Sequence, residues 1–245
     1  MQDYRAPKDL LADRVILVTG AGDGIGRAAS LAYARHGATV VLLGKTLPHL
    51  EATYDLIEEQ GGPTPAIYPM HLEGATPHEF DELAAKLEET FGRLDGILHN
   101  AARLPYLSRI KDYDPEDWHK VLQVNLNAPF MLTQALLPLL LQAPDAALIF
   151  TSDQVGRRAK AYWGAYAVSK AGLESLMQLL AEELEGTAIR VNSIDPGPTR
   201  TKLRRNIFPG EAPDKVKPPE ALMPLYLWLM GPDSKGTHGQ QLSYE

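Results

Sequence analysis

The amino-acid sequence predicts an α/β chain folded as a three-layer, doubly wound structure, with about seven parallel strands and helices on both faces. Three observations predict it. Short runs rich in Val, Ile and Leu recur along the chain, as in strands buried on both faces. Helical stretches alternate with them, and that alternation favours a parallel sheet. The length, 245 residues of which 44% are hydrophobic, suits one α/β domain with a full core, taken as 1–245.

The first strand is Val15–Val18. Glycines follow it at 20, 22, 24 and 26, and Arg27–His36 then reads as a helix closed by Gly37. Further strands are predicted at Thr39–Leu43, Ala66–Pro69, Gly96–His99, Ala147–Thr151 and Arg190–Ile194, with a short last one near Gln240–Ser243. Helices are predicted around Trp118–Leu141 and Ala167–Glu185. The run Leu136–Leu141 is far too short to span a bilayer and reads as the buried end of a helix.

Strand, glycine turn and helix together make a place where backbone N–H groups meet a pyrophosphate at a helix N-terminus. Ala28, Ala29 and Ala32 are small enough for that helix to lie close on the sheet. The plain alternative is an ordinary tight βα turn. A second segment, Leu94–Ala102, reads as a strand ending in Asn100. Asn125 then falls inside an apolar helical stretch, where an asparagine is disfavoured unless its amide is bonded. Tyr166 and Lys170 stand four apart, on one helix face. An ammonium there favours the phenolate, lowers the tyrosine pKa and suits it to acid–base work. Taken alone this pair is common and fits an amphipathic helix equally well.

Together these residues resemble the classical short-chain dehydrogenase/reductase family, over roughly Leu11–Gln241. Thr19, Gly20, Gly24, Ile25 and Gly26 match its TGxxxGIG loop, with Gly22 and Asp23 inside it. His99, Asn100, Ala101 and Ala102 match its NNAG segment with two substitutions. Asn125 falls at its asparagine, and Tyr166 and Lys170 at its YxxxK pair. Asn192–Gly197 matches its NxxxPG turn. The segments Phe150–Ser152, Trp163–Tyr166 and Met223–Gly231 look like the bacterial YciK-type subgroup. The resemblance implies a Rossmann fold, a nicotinamide cofactor and a small carbonyl or alcohol substrate. It implies that Tyr166 passes the proton, Lys170 lowers the tyrosine pKa and bonds the ribose, and Asn125 holds a relay water. Cofactor contacts are expected from the glycine loop, His71 and Leu72, Asn100–Ala102, Pro196, Gly197, Thr199 and Thr201. His71 stands where many members carry an adenine-binding Asp.

The end of the second strand selects the cofactor. An acid there would accept from the ribose hydroxyl of NAD. Gly44 stands there instead, and Lys45 follows with a charge for a 2′-phosphate. NADP(H) is favoured and NAD(H) stays open, since Asp23 occupies a loop position that is often basic in NADP-users and Lys45 reads equally as a surface lysine.

The main departure is at position 153, thirteen residues before Tyr166, where the family has its serine and this chain has Asp153. An ionised carboxylate cannot donate to a carbonyl oxygen. Beside a developing alkoxide at ~4 Å it costs about 4 kcal/mol at an effective dielectric near 20, roughly a thousandfold in rate. Asp153 protonated as a donor, Ser152 shifted into its place, and a reaction that needs no donor are the three open ways around this. An impaired enzyme serving as a nucleotide-binding scaffold or sensor is the alternative function.

A net charge of −7 and a pI near 5.5 argue against nucleic acid or an anionic membrane as partner. Without cysteine there is no disulfide or thiol chemistry, and no metal site is expected. The N-terminus lacks an apolar secretory core, so the cytoplasm is the default location. Residues 201–219, with four prolines and five Lys or Arg, form the variable segment that covers substrate in the resembled family. There Arg204, Arg205 and Phe208 are candidates to face a ligand. The helices around 118–141 and 167–185 imply a homodimer or homotetramer, although their leucines are equally explained by packing on the sheet.

Overall fold

The computed structural model describes residues 3–244. The apolar runs become β1 (Val15–Thr19), β2 (Thr39–Gly44), β3 (Ala66–Pro69), β4 (Gly96–His99), β5 (Ala146–Thr151), β6 (Ile189–Asp195) and β7 (Gln241–Ser243). Each lies within one residue of its predicted bounds. They form one sheet in the order β3-β2-β1-β4-β5-β6-β7, and every neighbouring pair is parallel. β1 therefore has β2 on one side and β4 on the other. The connections leave those strands in opposite directions, which opens a crevice at their C-terminal ends.

The helices are α1 (Gly24–Arg35), α2 (Leu47–Glu59), α3 (Pro77–Phe91), α4 (Pro115–Leu122), α5 (Ala128–Leu141), α6 (Gln154–Arg157), α7 (Gly164–Glu183), α8 (Lys202–Ile207) and α9 (Met223–Met230). Side chains of a strand alternate between faces, and β1 shows where they go. Ile16 and Val18 join the layer that holds Ala29, Tyr33 and Tyr226 of α1 and α9. Leu17 joins the opposite layer, with Leu83, Leu136 and Met177 of α3, α5 and α7. A third, smaller cluster gathers Leu104, Tyr113, Val121, Val155, Ala165 and Tyr166 at the mouth of the crevice.

The helix expected over Trp118–Leu141 is interrupted. Gln123–Asn127 form a wide π-helical turn, closed by the Ala128 N–H donating to Gln123 O. Pro129 stands four residues after Asn125 and brings no N–H for that carbonyl, so an ordinary α ladder fails here. By length and apolarity the run Pro115–Leu141 would cross a bilayer, but half of its most apolar window is packed inside the protein. It is the core helix the sequence predicts.

His99 ends β4 and is almost fully buried. Its Nε2 meets Thr133 Oγ1 at 2.9 Å, and its ring stacks on Phe150 with centroids 4.8 Å apart. Burial pushes its pKa down to about 3 from 6.5. Between those values the unfolded chain binds a proton that the folded chain refuses, so stability falls as pH drops through that window. Urea unfolding of the wild type is expected to show its midpoint falling from pH 6.5 toward 3. His99→Gln should flatten that slope, and an unchanged slope would show that His99 is not the group responsible.

Candidate active site

The crevice is tied together by Thr19. Its hydroxyl accepts from the backbone N–H groups of Asn100 and Ala101, at 2.9 and 3.0 Å, and reaches Leu98 O at 3.4 Å. Asn100 returns a bond from Nδ2 to Thr19 O at 3.3 Å. The chain then turns at Gly20, in the left-handed region with φ +70°, a conformation glycine adopts at little cost. A Cβ on Gly26 would overlap Gly20 O and crowd Asn100 Nδ2, so only glycine lets α1 start this close to the turn. Thr19 and Gly26, expected among the cofactor contacts, thus lie behind the crevice wall and shape the loop. Asp23 caps α1, accepting from Gly24 N at 2.7 Å.

The remaining expected contacts line one cleft of about 570 Å³. Gly20, Gly22, Asp23, Gly24 and Ile25 supply one wall. Gly44 and Lys45 end β2, and His71 and Leu72 follow β3. Asn100, Ala101 and Ala102 follow β4, while Pro196, Gly197, Thr199 and Thr201 follow β6. Lys45 and His71 are exposed. Ser152, Asp153, Tyr166 and Lys170 line the same cleft, together with Trp163 and Phe208. The cleft thus takes in a glycine turn and a helix N-terminus, with a side-chain-free position at Gly44 beside a lysine. These residues fit a dinucleotide.

Tyr166, Lys170 and Asp153 are brought together. The Tyr166 hydroxyl donates to Asp153 Oδ2 at 3.3 Å, while Asp153 Oδ1 accepts from Val155 N at 2.9 Å and caps α6. Lys170 Nζ donates to Thr151 O at 2.6 Å and lies 5.6 Å from the Tyr166 ring centroid. The net balance at Tyr166 runs upward, opposite to the lowering expected from Lys170. Burial, then the charge and hydrogen bond of Asp153, hold the Tyr166 phenol well above its usual value. Burial pushes the Lys170 ammonium down to about 8, against the opposing pull of Asp153, Glu174 and Asp195. Burial disfavours the phenolate most, and the Asp153 carboxylate, accepting the phenol's hydrogen bond, adds to that.

Ser152 does not substitute for the displaced serine in this arrangement. Its hydroxyl is buried without a partner and makes no bond to Tyr166. A one-residue step in extended chain turns a side chain to the other face. Asn125 differs too: its amide is spent on structure. Oδ1 accepts from Arg103 N at 2.7 Å, and Nδ2 donates to Arg103 O and Ser169 Oγ, both at 3.0 Å. The variable segment forms α8, in which Arg204 pairs with Glu211 through two bonds of 2.6 and 2.7 Å. Arg204 and Phe208 line the cleft, whereas Arg205 is exposed and does not.

Two charged residues at the site were not singled out from the sequence. Arg103 lines the cleft, held between Glu73 and Asp117 at 3.2 and 2.6 Å. Asp195 ends β6, accepts from Gly197 N at 2.8 Å and has its carboxyl pushed up by burial. Its place directly before the Pro-Gly turn was the available signal; for Arg103 no local pattern existed, since its partners lie far away in sequence.

A family model described as short chain dehydrogenase matches residues 14–212. The chain belongs to the short-chain dehydrogenase family. It is 49% identical over 236 residues to the uncharacterized oxidoreductase YciK of Escherichia coli K12, a match covering 96% of this chain and 93% of that one. It falls in the YciK-type subgroup. A short chain dehydrogenase from Shigella flexneri 2a, complexed with NADP, superposes with TM-score 0.94 at 48% identity, covering 97% of this chain and 99% of the other. One from Escherichia coli CFT073, complexed with NADPH, does so at 0.94 and 49%, covering 97% and 98%.

Asn125→Ala would remove both Asn125 bonds to the Arg103 backbone and the one that the Ser169 hydroxyl accepts. A loss of about 2–4 kcal/mol is expected, seen as a fall of roughly 4–16 °C in Tm by calorimetry. A variant as stable as wild type would show that the clamp contributes little.

Proposed function

We propose that the protein is an NADP(H)-dependent oxidoreductase that moves a hydride between the nicotinamide and a small carbonyl or alcohol substrate. The observation that carries this reading is the convergence of Tyr166, Lys170 and Asp153 on the cleft that the glycine turn opens. When bound, NADPH supplies the hydride. The glycine turn would hold the pyrophosphate through backbone N–H groups, Gly44 brings no acidic side chain to the end of β2, and exposed Lys45 would pair with the 2′-phosphate. The NADP and NADPH complexes of the Shigella flexneri and Escherichia coli CFT073 relatives, at 48% and 49% identity, support that choice over NAD.

Tyr166 Oη is the proton donor to the substrate oxygen, and Lys170, whose Nζ lies 5.6 Å from the Tyr166 ring centroid, would bond the cofactor ribose. Because the Asn125 side chain is occupied, the acceptor left for a relay water is its backbone carbonyl, which Pro129 cannot serve. Asp153 opposes the step electrostatically, since the alkoxide must form beside it. This contact also supports the second reading, a nucleotide-binding scaffold with weakened catalysis. Exposed Phe130, Val168 and Leu179 lie on α5 and α7 and suit a homo-oligomer; we place it in the cytoplasm.

Tyr166→Phe is expected to lower turnover by about 10²–10⁴-fold while NADPH binding, read by fluorescence, stays intact; retained turnover refutes the proton-donor role. Asp153→Ser is expected to raise NADPH-dependent reduction of a neutral dicarbonyl by roughly tenfold to a thousandfold. A decrease instead would mean that a carboxyl at 153 assists carbonyl reduction.

A further inference from the structure

Asp153 hinders one kind of hydride acceptor and favours another. Its Oδ2 stands 3.3 Å from Tyr166 Oη, where the reacting heteroatom must bind, and the phenol is its one side-chain partner. The Lys170 ammonium is shared among Asp153, Glu174 and Asp195, one cation for three carboxylates, and the other neighbouring cations have partners of their own or stand in solvent. Lys170 donates to Thr151 O, Arg204 is doubly paired with Glu211, and Arg103 lies between Glu73 and Asp117. Lys217 sits over the Tyr244 ring, 4.6 Å from its centroid, and Lys202 is exposed. Asp195 adds a second carboxylate to the field at Tyr166. Aromatic rings line the same cleft: Trp163 lies 5.7 Å from Tyr166 and 6.2 Å from Phe208 between ring centroids, and Tyr166 is the one that touches Asp153. Excess carboxylate charge in a cleft that also carries aromatic rings suits a cationic ligand.

We propose that this site reduces substrates in which the acceptor carbon is double-bonded to a cationic nitrogen, protonated imines and iminium ions, in preference to neutral carbonyls. The inference rests on the hydride-transfer reading above and names its substrate class. The balance of the step agrees with the proton arrangement. Hydride from NADPH forms the new C–H bond, and the C=N π pair becomes the nitrogen lone pair. The substrate is reduced to a neutral amine while NADPH is oxidised to NADP⁺. No proton is required from Tyr166, whose hydroxyl stays on Asp153; solvent protonates the amine afterwards. Positive charge passes from the nitrogen to the nicotinamide, so no negative charge develops beside the carboxylate. Because the charge on nitrogen fades as hydride arrives, the advantage appears chiefly as a lower KM.

The test uses the full-length enzyme with NADPH and two acceptors: an N-alkylated cyclic iminium salt, charged at every pH, and the neutral ketone of the same ring skeleton. Wild type, Asp153→Asn and Asp153→Ser are compared, with NADPH binding and Tm measured for each. Wild type is expected to favour the iminium by about thirtyfold or more in kcat/KM. Both variants are expected to lose that preference, mainly through a raised KM for the iminium, while the ketone is reduced at least as well as before. A wild type that prefers the ketone, or a preference that survives both substitutions, overturns the inference and leaves the hydride-transfer reading standing. NADPH binding without consumption by any form on either acceptor overturns that reading as well.

Discussion

Everything at the site hangs on the junction where β1 and β4 end side by side and their connections part. The Thr19 hydroxyl bonds two successive N–H groups of the next strand's exit, and Asn100 answers with its amide. These bonds fix the floor of the crevice. On that floor the turn at Gly20 meets the first residues of α1 so closely that Gly26 has no room for a side chain. The helix start, the groove and the position of the following strand ends all inherit their geometry from this contact.

Burial then sets the electrostatics. Tyr166 and Lys170 are both nearly inaccessible to water, and desolvation disfavours the charged form of each. Three carboxylates compensate around the single ammonium. Glu174 is itself anchored, by Arg157 at 3.0 Å and by the Ser193 hydroxyl at 2.5 Å. Arg157 also reaches Ser243 and the Leu242 carbonyl, tying the last strand to the base of the site. The chain's C-terminal strand is therefore part of what holds Lys170 in its surroundings.

Much of this was legible in the sequence, for physical reasons. Parallel strands buried on both faces leave apolar runs with little ambiguity, so all seven were located within a residue. The glycine turn and the Tyr166–Lys170 spacing are local patterns, and local patterns survive without a structure. What stayed hidden depended on distant partners. The reversal at Tyr166 needed the 3.3 Å contact to Asp153, and the unpartnered hydroxyl of Ser152 needed the direction of one side chain. The commitment of Asn125 to the Arg103 backbone joins residues on separate segments. Arg103 carried no signal at all, since its charge is balanced by Glu73 and Asp117 from two other stretches.

The π turn between α4 and α5 has a consequence for how that whole run is built. One additional residue is accommodated in a single turn, and one residue is worth about 100° of rotation about a helix axis. α4 can therefore face α7 while α5 faces α3, although the two follow one another without leaving helical conformation. A single pattern of apolar positions cannot describe both halves, because the phase jumps at Asn125. The turn acts as a clutch: it lets two packing surfaces with incompatible registers share one axis, and it puts the asparagine at the point where they disengage.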